Sequence, residues 1–264
     1  MIEGVTFFVK ATNDWNKVIR CLSSIERQIN RNYKIVAFCG IPDIITKLIN
    51  SFENISVIPI DGTKDFVKKL NEEFKKIDTD YCAFLNFDEI IAPNTVDLIL
   101  SKESDAVIYN IAKKGKIKFA PRFPVDKQLT LVDHIKKGLI IWNTAIKSEI
   151  ILKNSIKLQG DSSPLQALFL LDCFSFADTI DICPDVIAYK DGIAKKSLPT
   201  YQQFRSNRKT IGRISKRFSK KGMLEVKERV VTDFVVSQLI DYYTEKSFIT
   251  RMRKKRLIKK YMGL

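Results

Sequence analysis

Residues 80–93 read DYCAFLNFDEIIAP, and the rest of the chain is organised around them. Tyr81 to Leu85 is an apolar run of strand length. It ends in Asn86, Phe87, Asp88 and Glu89, a polar group that a hydrophobic core would not select. Ile90, Ile91 and Ala92 then lead to Pro93 and Asn94, a turn into a helix. A hydrophobic strand that delivers adjacent carboxylates at its C-terminal end puts hard oxygen ligands at the rim of a sheet, where open α/β sheets bind ligands. The other reading is an acidic strand-to-helix turn, with Asp88 or Glu89 near a helix N-terminus.

The flanks place that strand in a series. Val5 to Val9, Lys34 to Phe38 and Ile55 to Ile60 are short apolar strands. Between them, Trp15 to Gln28, Ile44 to Phe52 and Phe66 to Ile77 carry helical spacing; Val18, Cys21, Leu22 and Ile25 share one face. Such alternation predicts an α/β protein with a mostly parallel central sheet flanked by helices. Further on, Ala106 to Ile111 reads as a strand and Lys113 to Lys118 as a basic turn, a candidate hairpin with Ile117 to Phe119. Leu165 to Cys173 reads as an apolar helix with Ser163 as its cap and Pro164 at its first position. Thr179 to Tyr189 is strand-like, broken at Pro184. A dinucleotide glycine fingerprint is missing from the first turn.

Charge divides the chain of 264 residues and net charge +15. From Tyr201 to Leu264 there are 18 Lys plus Arg against 5 Asp plus Glu, a net of +13, which leaves +2 on the first 200 residues. The expected division is therefore a body at 1–200 and a basic helical region at 201–264, with helices at Arg205 to Lys220, Leu224 to Tyr243 and Phe248 to Tyr261. The last mixes apolar residues with seven basic ones and suits an anionic membrane surface; no nucleic-acid motif accompanies it, so no nucleic acid is expected. The five cysteines lack CxxC spacing and read as reduced core residues. With no leader pattern and no apolar run of membrane-spanning length, the expected location is cytoplasmic, peripheral on the inner face of the cell membrane. His134, the only histidine, lies on a polar helical stretch. Trp142 reads as a core or packing residue.

Several segments also carry a resemblance. VTFFVKATN (5–13) is similar to VSIIIPVYN, and CLSSIERQ (21–28), YKIVAFCGIPD (33–43), WNTAIKSEII (142–151), GDSSPLQALFL (160–170) and VIAYKDGIAKKS (186–197) follow in the same order. Together with the acidic stretch they resemble the family 2 glycosyltransferases with the GT-A fold, bacterial polysaccharide enzymes in particular. The resemblance covers roughly residues 4–198. It implies an inverting transfer of a sugar from a nucleotide-diphosphate donor, a UDP-sugar first, to a surface glycan or lipid-linked acceptor. Ala11, Thr12, Asn13, Cys39, Gly40, Asn71, Asn86 and Phe87 fall at nucleotide-sugar-binding positions. Asp88 and Glu89 fall at the metal motif, for Mn²⁺ or Mg²⁺, with Asp88 direct and Glu89 through water. Asp161 falls beside the catalytic base.

Three departures accompany the resemblance. Asn86 stands where the metal motif has its first Asp, Cys39 and Gly40 where a nucleotide-binding Asp pair belongs, and Ser162 on the base itself, so Asp161 would serve after a one-residue shift. The alternative is a degenerate GT-A domain that binds a glycan or a partner protein without catalysis. Read locally, Thr12 and Asn13 are candidate helix caps, and Asp161 a loop or capping residue.

Overall fold

The computed structural model describes residues 1–11, 13–52, 54–114, 119–124, 128–137, 139, 141–190, 201–232 and 247–249, with 252, 253, 255, 256 and 259. The first half alternates as expected: β1 (Ile2–Lys10), α1 (Trp15–Glu26), β2 (Tyr33–Cys39), α2 (Pro42–Ser51), β3 (Ile55–Pro59), α3 (Gly62–Phe74) and β4 (Thr79–Asn86). Then come β5 (Glu89–Ile91), α4 (Thr95–Leu100), β6 (Ala106–Lys114), β7 (Phe119–Pro121) and α5 (Leu131–Lys137). A 3₁₀ turn at Ile141–Asn143 leads to β8 (Thr144–Lys147), α6 (Ser148–Lys153), α7 (Ser163–Phe176), β9 (Ile180–Lys190) and α8 (Tyr201–Lys220).

All nine strands join one sheet, in the order β3-β2-β1-β4-β8-β6-β9-β5, with β7 on β6. The β3-β2-β1-β4 half is parallel. The other half is mixed, because β8 runs antiparallel to both β4 and β6, while β6 and β9 are parallel. Period-2 alternation sorts β1 between two cores. Val5, Phe7 and Val9 join Val18, Leu22, Ile25 and Leu48 on the α1/α2 face. Phe8 joins Phe38, Phe84 and Phe169 on the α3/α7 face, with the Phe8 and Phe84 rings stacked at 5.7 Å.

Several expectations change in the structure. Residues 90–94 lead into a helix, α4, as expected, but residues 89–91 first form a short strand, β5, antiparallel to β9. The break at Pro184 is a bulge in β9: Tyr109 pairs with Cys183 but Asn110 with Val186. Asn110 fills the gap by donating to the Pro184 carbonyl at 3.2 Å and the Phe123 carbonyl at 2.9 Å. The hairpin turn expected at Lys113 to Lys118 is seen through its flanks, Lys114 pairing with Phe119; residues 115–118 lie outside the described residues. The cap of α1 is Asp14, which accepts from the Lys17 amide, and not Asn13. The cap position of α7 is Ser162, one residue before Ser163, and its hydroxyl makes no capping bond. His134 is not on a polar surface but buried, 4.4 Å from the Phe123 ring. All five cysteines are buried and free.

The start of the basic region shares the core of the body. Ile211, Ile214 and Phe218 of α8, with Val226 and Val230 of the helical residues 224–232, belong to the α3/α7 cluster. The i, i+3, i+7 spacing of Ile211, Ile214 and Phe218 gives α8 one apolar stripe, and burial of each such side chain contributes about 1.5–3 kcal/mol. Arg217 fastens the helix: it donates to Asp172 at 2.6 Å and Ser175 at 2.9 Å and lies 3.7 Å from the Phe176 ring centre. Residues 233–243 of the expected second helix lie outside the described residues, as do 250, 251, 254, 257, 258, 260 and 261 of the third.

Candidate functional site

Because β3, β2, β1 and β4 are parallel, their C-terminal ends share one edge. Lys10, Cys39, Pro59 and Asn86 are the last residues of β1, β2, β3 and β4. In register, Lys10 lies beside Phe38 on one side and Asn86 on the other. Phe8 and Phe84 point to the same face two residues earlier, so the alternation turns Lys10 and Asn86 towards that face as well.

The acidic turn is braced from behind. Glu89 is 3% exposed, and its carboxylate accepts the Asn86 amide at 3.0 Å, closing the turn across Phe87 and the half-buried Asp88. Cys21 lies beneath it and donates to the Asn86 carbonyl at 3.4 Å. Burial first, then the charges of Glu89 and Asp88, push that thiol far up, so it is no nucleophile. The polar members of CLSSIERQ hold the segment that follows. Ser24 accepts the Ile91 amide at 3.1 Å; Gln28 donates to the Ala92 carbonyl at 2.7 Å and accepts the Val96 amide at 3.0 Å. Ser24 of α1 and Gln28 just after it thereby hold the C-terminal end of β5 and the turn into α4 against the core.

Asp161 comes to this edge from 151 residues away. It forms an ion pair with Lys10. Their side chains are 14% and 25% exposed, and the Lys10 ammonium also lies 4.7 Å from the Phe66 ring centre. Gln166, one turn into α7, donates to the Asp161 side chain at 3.0 Å and to its carbonyl at 3.1 Å. Neither Lys10 nor Gln166 was singled out by the sequence. The available signal was a lysine ending the apolar strand VTFFV, where the resembling string has proline.

The other candidates are distributed as follows. Ala11 is buried, its amide bound to the Phe38 carbonyl at 2.9 Å, and Asn13 is exposed. Thr12 lies outside the described residues. Cys39 is fully buried and donates to the Ile41 carbonyl at 3.7 Å, so only its backbone and the exposed Gly40 reach the rim. A Cβ on Gly40 would meet the Ile60 carbonyl oxygen at 2.8 Å, a close approach that requires glycine. Phe87 is half-buried, with the Lys17 ammonium 5.6 Å from its ring centre.

Asn71 serves the loop that precedes Asp161. Its amide donates to the Leu158 carbonyl at 2.8 Å and accepts the Leu158 amide at 2.9 Å. Asn71→Leu would strip both partners and is expected to cost about 1–3 kcal/mol, read as a lowered denaturant midpoint. An unchanged midpoint would show that the two bonds are replaced by water at no cost.

Among the described residues, no three His, Cys, Asp or Glu side chains gather into a metal cluster. The donor set in the turn nevertheless fits a hard cation: Asp88 and the Asn86 amide are oxygen donors, and Mg²⁺ is commonly bound by one or two carboxylates together with substrate phosphates. An open cleft of about 390 Å³ lies at the opposite edge of the sheet, lined by Thr6, Tyr33, Lys34 and Asp78 among others, and contains none of the candidate residues.

This sheet order, with an acidic turn after the fourth strand and a helix start facing it, is the GT-A glycosyltransferase fold. Residues 1–349 of S. aureus TarS in complex with UDP-GlcNAc are similar over 98% of this chain and 91% of that one, at TM-score 0.67 and 15% identity. Against the longer S. aureus TarS structure the TM-score is 0.69 at 13% identity, and the chain, 98% covered, spans 49% of that protein. The mannosyltransferase PcManGT from Pyrobaculum calidifontis, in complex with GDP-Man and Mn²⁺, matches over 98% of this chain and 82% of its own, at TM-score 0.52 and 10% identity. At these identities the likeness is one of fold. No protein-family model matches the chain, and no curated protein sequence matches it.

Proposed function

We propose that this protein is an inverting glycosyltransferase that moves a sugar from a nucleotide-diphosphate donor, a UDP-sugar first, to a surface glycan or lipid-linked acceptor. The observation that carries the reading is the meeting of Asp161 with the ends of β1 and β4 on one sheet edge, in a fold whose solved relatives hold UDP-GlcNAc and GDP-Man. Ala11, Asn13, Gly40 and Phe87 would line the nucleotide. Asp161 would accept the proton of an acceptor hydroxyl as its oxygen bonds to the anomeric carbon; the bond from that carbon to the diphosphate breaks, and the nucleoside diphosphate leaves. Asp88 and Asn86 would hold Mn²⁺ or Mg²⁺, with Glu89 bracing the turn from inside. When bound, the cation neutralises the diphosphate leaving group.

The test is thermal stabilisation by UDP-, GDP-, CDP- and dTDP-sugars, with and without Mn²⁺, followed by release of nucleoside diphosphate in the presence of acceptor. No stabilisation by any donor would overturn the reading. The second reading, a binding protein without catalysis, is favoured by one observation: the candidate base is held in an ion pair with Lys10. Donor binding with no turnover on any acceptor would select it.

The end of the chain is proposed to meet an anionic membrane surface. No helix among the described residues is long and apolar enough to cross a membrane. Phe248 and Ile249 are 74% and 66% exposed, and Arg253, Lys255, Arg256 and Lys259 are helical and exposed beside them. Each basic residue near such a surface contributes about 1 kcal/mol. Deleting residues 251–264 is expected to abolish sedimentation with phosphatidylserine vesicles at low salt while donor binding persists. Equal sedimentation of the truncated protein would assign the basic helix to another partner.

A further inference from the structure

We infer that Lys10 is the ligand of the donor's diphosphate, and that it exchanges Asp161 for that anion when the donor binds; the inference rests on the reading of this edge as a nucleotide-diphosphate site. A lysine rarely ends a central strand with its side chain only a quarter exposed unless its ammonium is paired. Here the partners are unequal. Asp161 is anchored without Lys10, because Gln166 holds both its side chain and its carbonyl. Lys10 reaches Asp161 and the Phe66 ring through four flexible methylenes, and its ammonium makes no other polar contact among the described residues. The lysine is therefore the member of the pair that can move.

Its place in the sheet says where it can go. Lys10 and Asn86 are register partners on neighbouring parallel strands, on the same face. A carboxylate at position 86 would compete with Asp161 for the ammonium. The neutral amide leaves the Lys10 charge beside the very turn where a diphosphate would lie. An incoming diphosphate offers several anionic oxygens against one carboxylate, and the exchange leaves Asp161 without its cationic partner, able to accept a proton. Donor binding and release of the base are then one event, and the acceptor hydroxyl is activated only when a donor is present.

Titration calorimetry with UDP and with GDP, each in EDTA and in Mn²⁺, tests this on the full chain. Lys10→Met should weaken nucleotide binding at least tenfold in EDTA, Lys10→Arg should retain most of it, and Asp161→Asn should tighten it several-fold by removing the competitor. Circular dichroism and the melting midpoint check that each variant is folded, and Lys10→Arg preserves the charge if Lys10→Met is not. A purely structural ion pair would move the midpoints of Lys10→Met and Asp161→Asn together and leave their UDP affinities equal to the wild type's; that result overturns the inference. If the wild-type protein binds neither UDP nor GDP in either buffer, the nucleotide-diphosphate reading itself fails and Lys10 with it.

Discussion

Asp161→Asn is expected to lower turnover by about 100-fold or more, the range associated with loss of a positioned general base, while donor binding is not weakened. The substitution keeps the shape, and its one carbonyl oxygen can still accept from Gln166 while the position facing Lys10 loses its acceptor, so the loop should stay in place. What it removes is basicity. The neighbouring Ser162 cannot compensate, since a serine hydroxyl has no basicity near neutral pH. The measurement is release of nucleoside diphosphate with acceptor at saturating donor, beside calorimetry of the donor alone. Full activity in the variant would take Asp161 out of the mechanism. Lost donor binding with lost activity would make it a structural residue of the nucleotide site.

Asp88→Asn should remove the Mn²⁺ dependence of donor binding with little change in stability, because Asp88 is half-buried in a two-residue turn that Glu89 closes. Glu89→Ala should do the reverse. It leaves the Asn86 amide without its carboxylate and is expected to cost about 1–3 kcal/mol, visible as a lower melting midpoint before any binding is measured. Two adjacent acids in the sequence thus divide into a candidate ligand and a brace. Equal Mn²⁺-supported affinity in Asp88→Asn and wild type would show that this side chain does not hold the cation.

Much of the fold was legible along the chain, and for a local reason. Strand and helix periods in the first hundred residues depend on short-range spacing, so Val5 to Val9, Lys34 to Phe38 and Tyr81 to Leu85 read correctly as strands. The acidic turn was legible too, because a polar cluster directly after an apolar strand has few places to go but a sheet edge. In the mixed half β6 and β9 were read as strands too, but β8 and β5 were not. β8 is four residues and β5 three, too short to show a period, and both exist because long-range partners supply their hydrogen bonds.

The sequence by itself determined an alternating α/β body, the carboxylates after its fourth strand and the concentration of charge near the end. Only the tertiary structure decided which polar side chains meet. Asp88 and Glu89 look equivalent in the sequence, yet the pairing of β5 with β9 turns one into the core. Asn71 matched a ligand position but is spent on Leu158, because the segment leading to Asp161 lies across α3. Lys10 and Asp161, 151 residues apart, share a site because a β1 end and an α7 start occupy the same edge. Periodicity records burial, which each residue expresses locally. A hydrogen bond between distant residues has no local period, and it becomes visible only when the sheet order brings its two ends together.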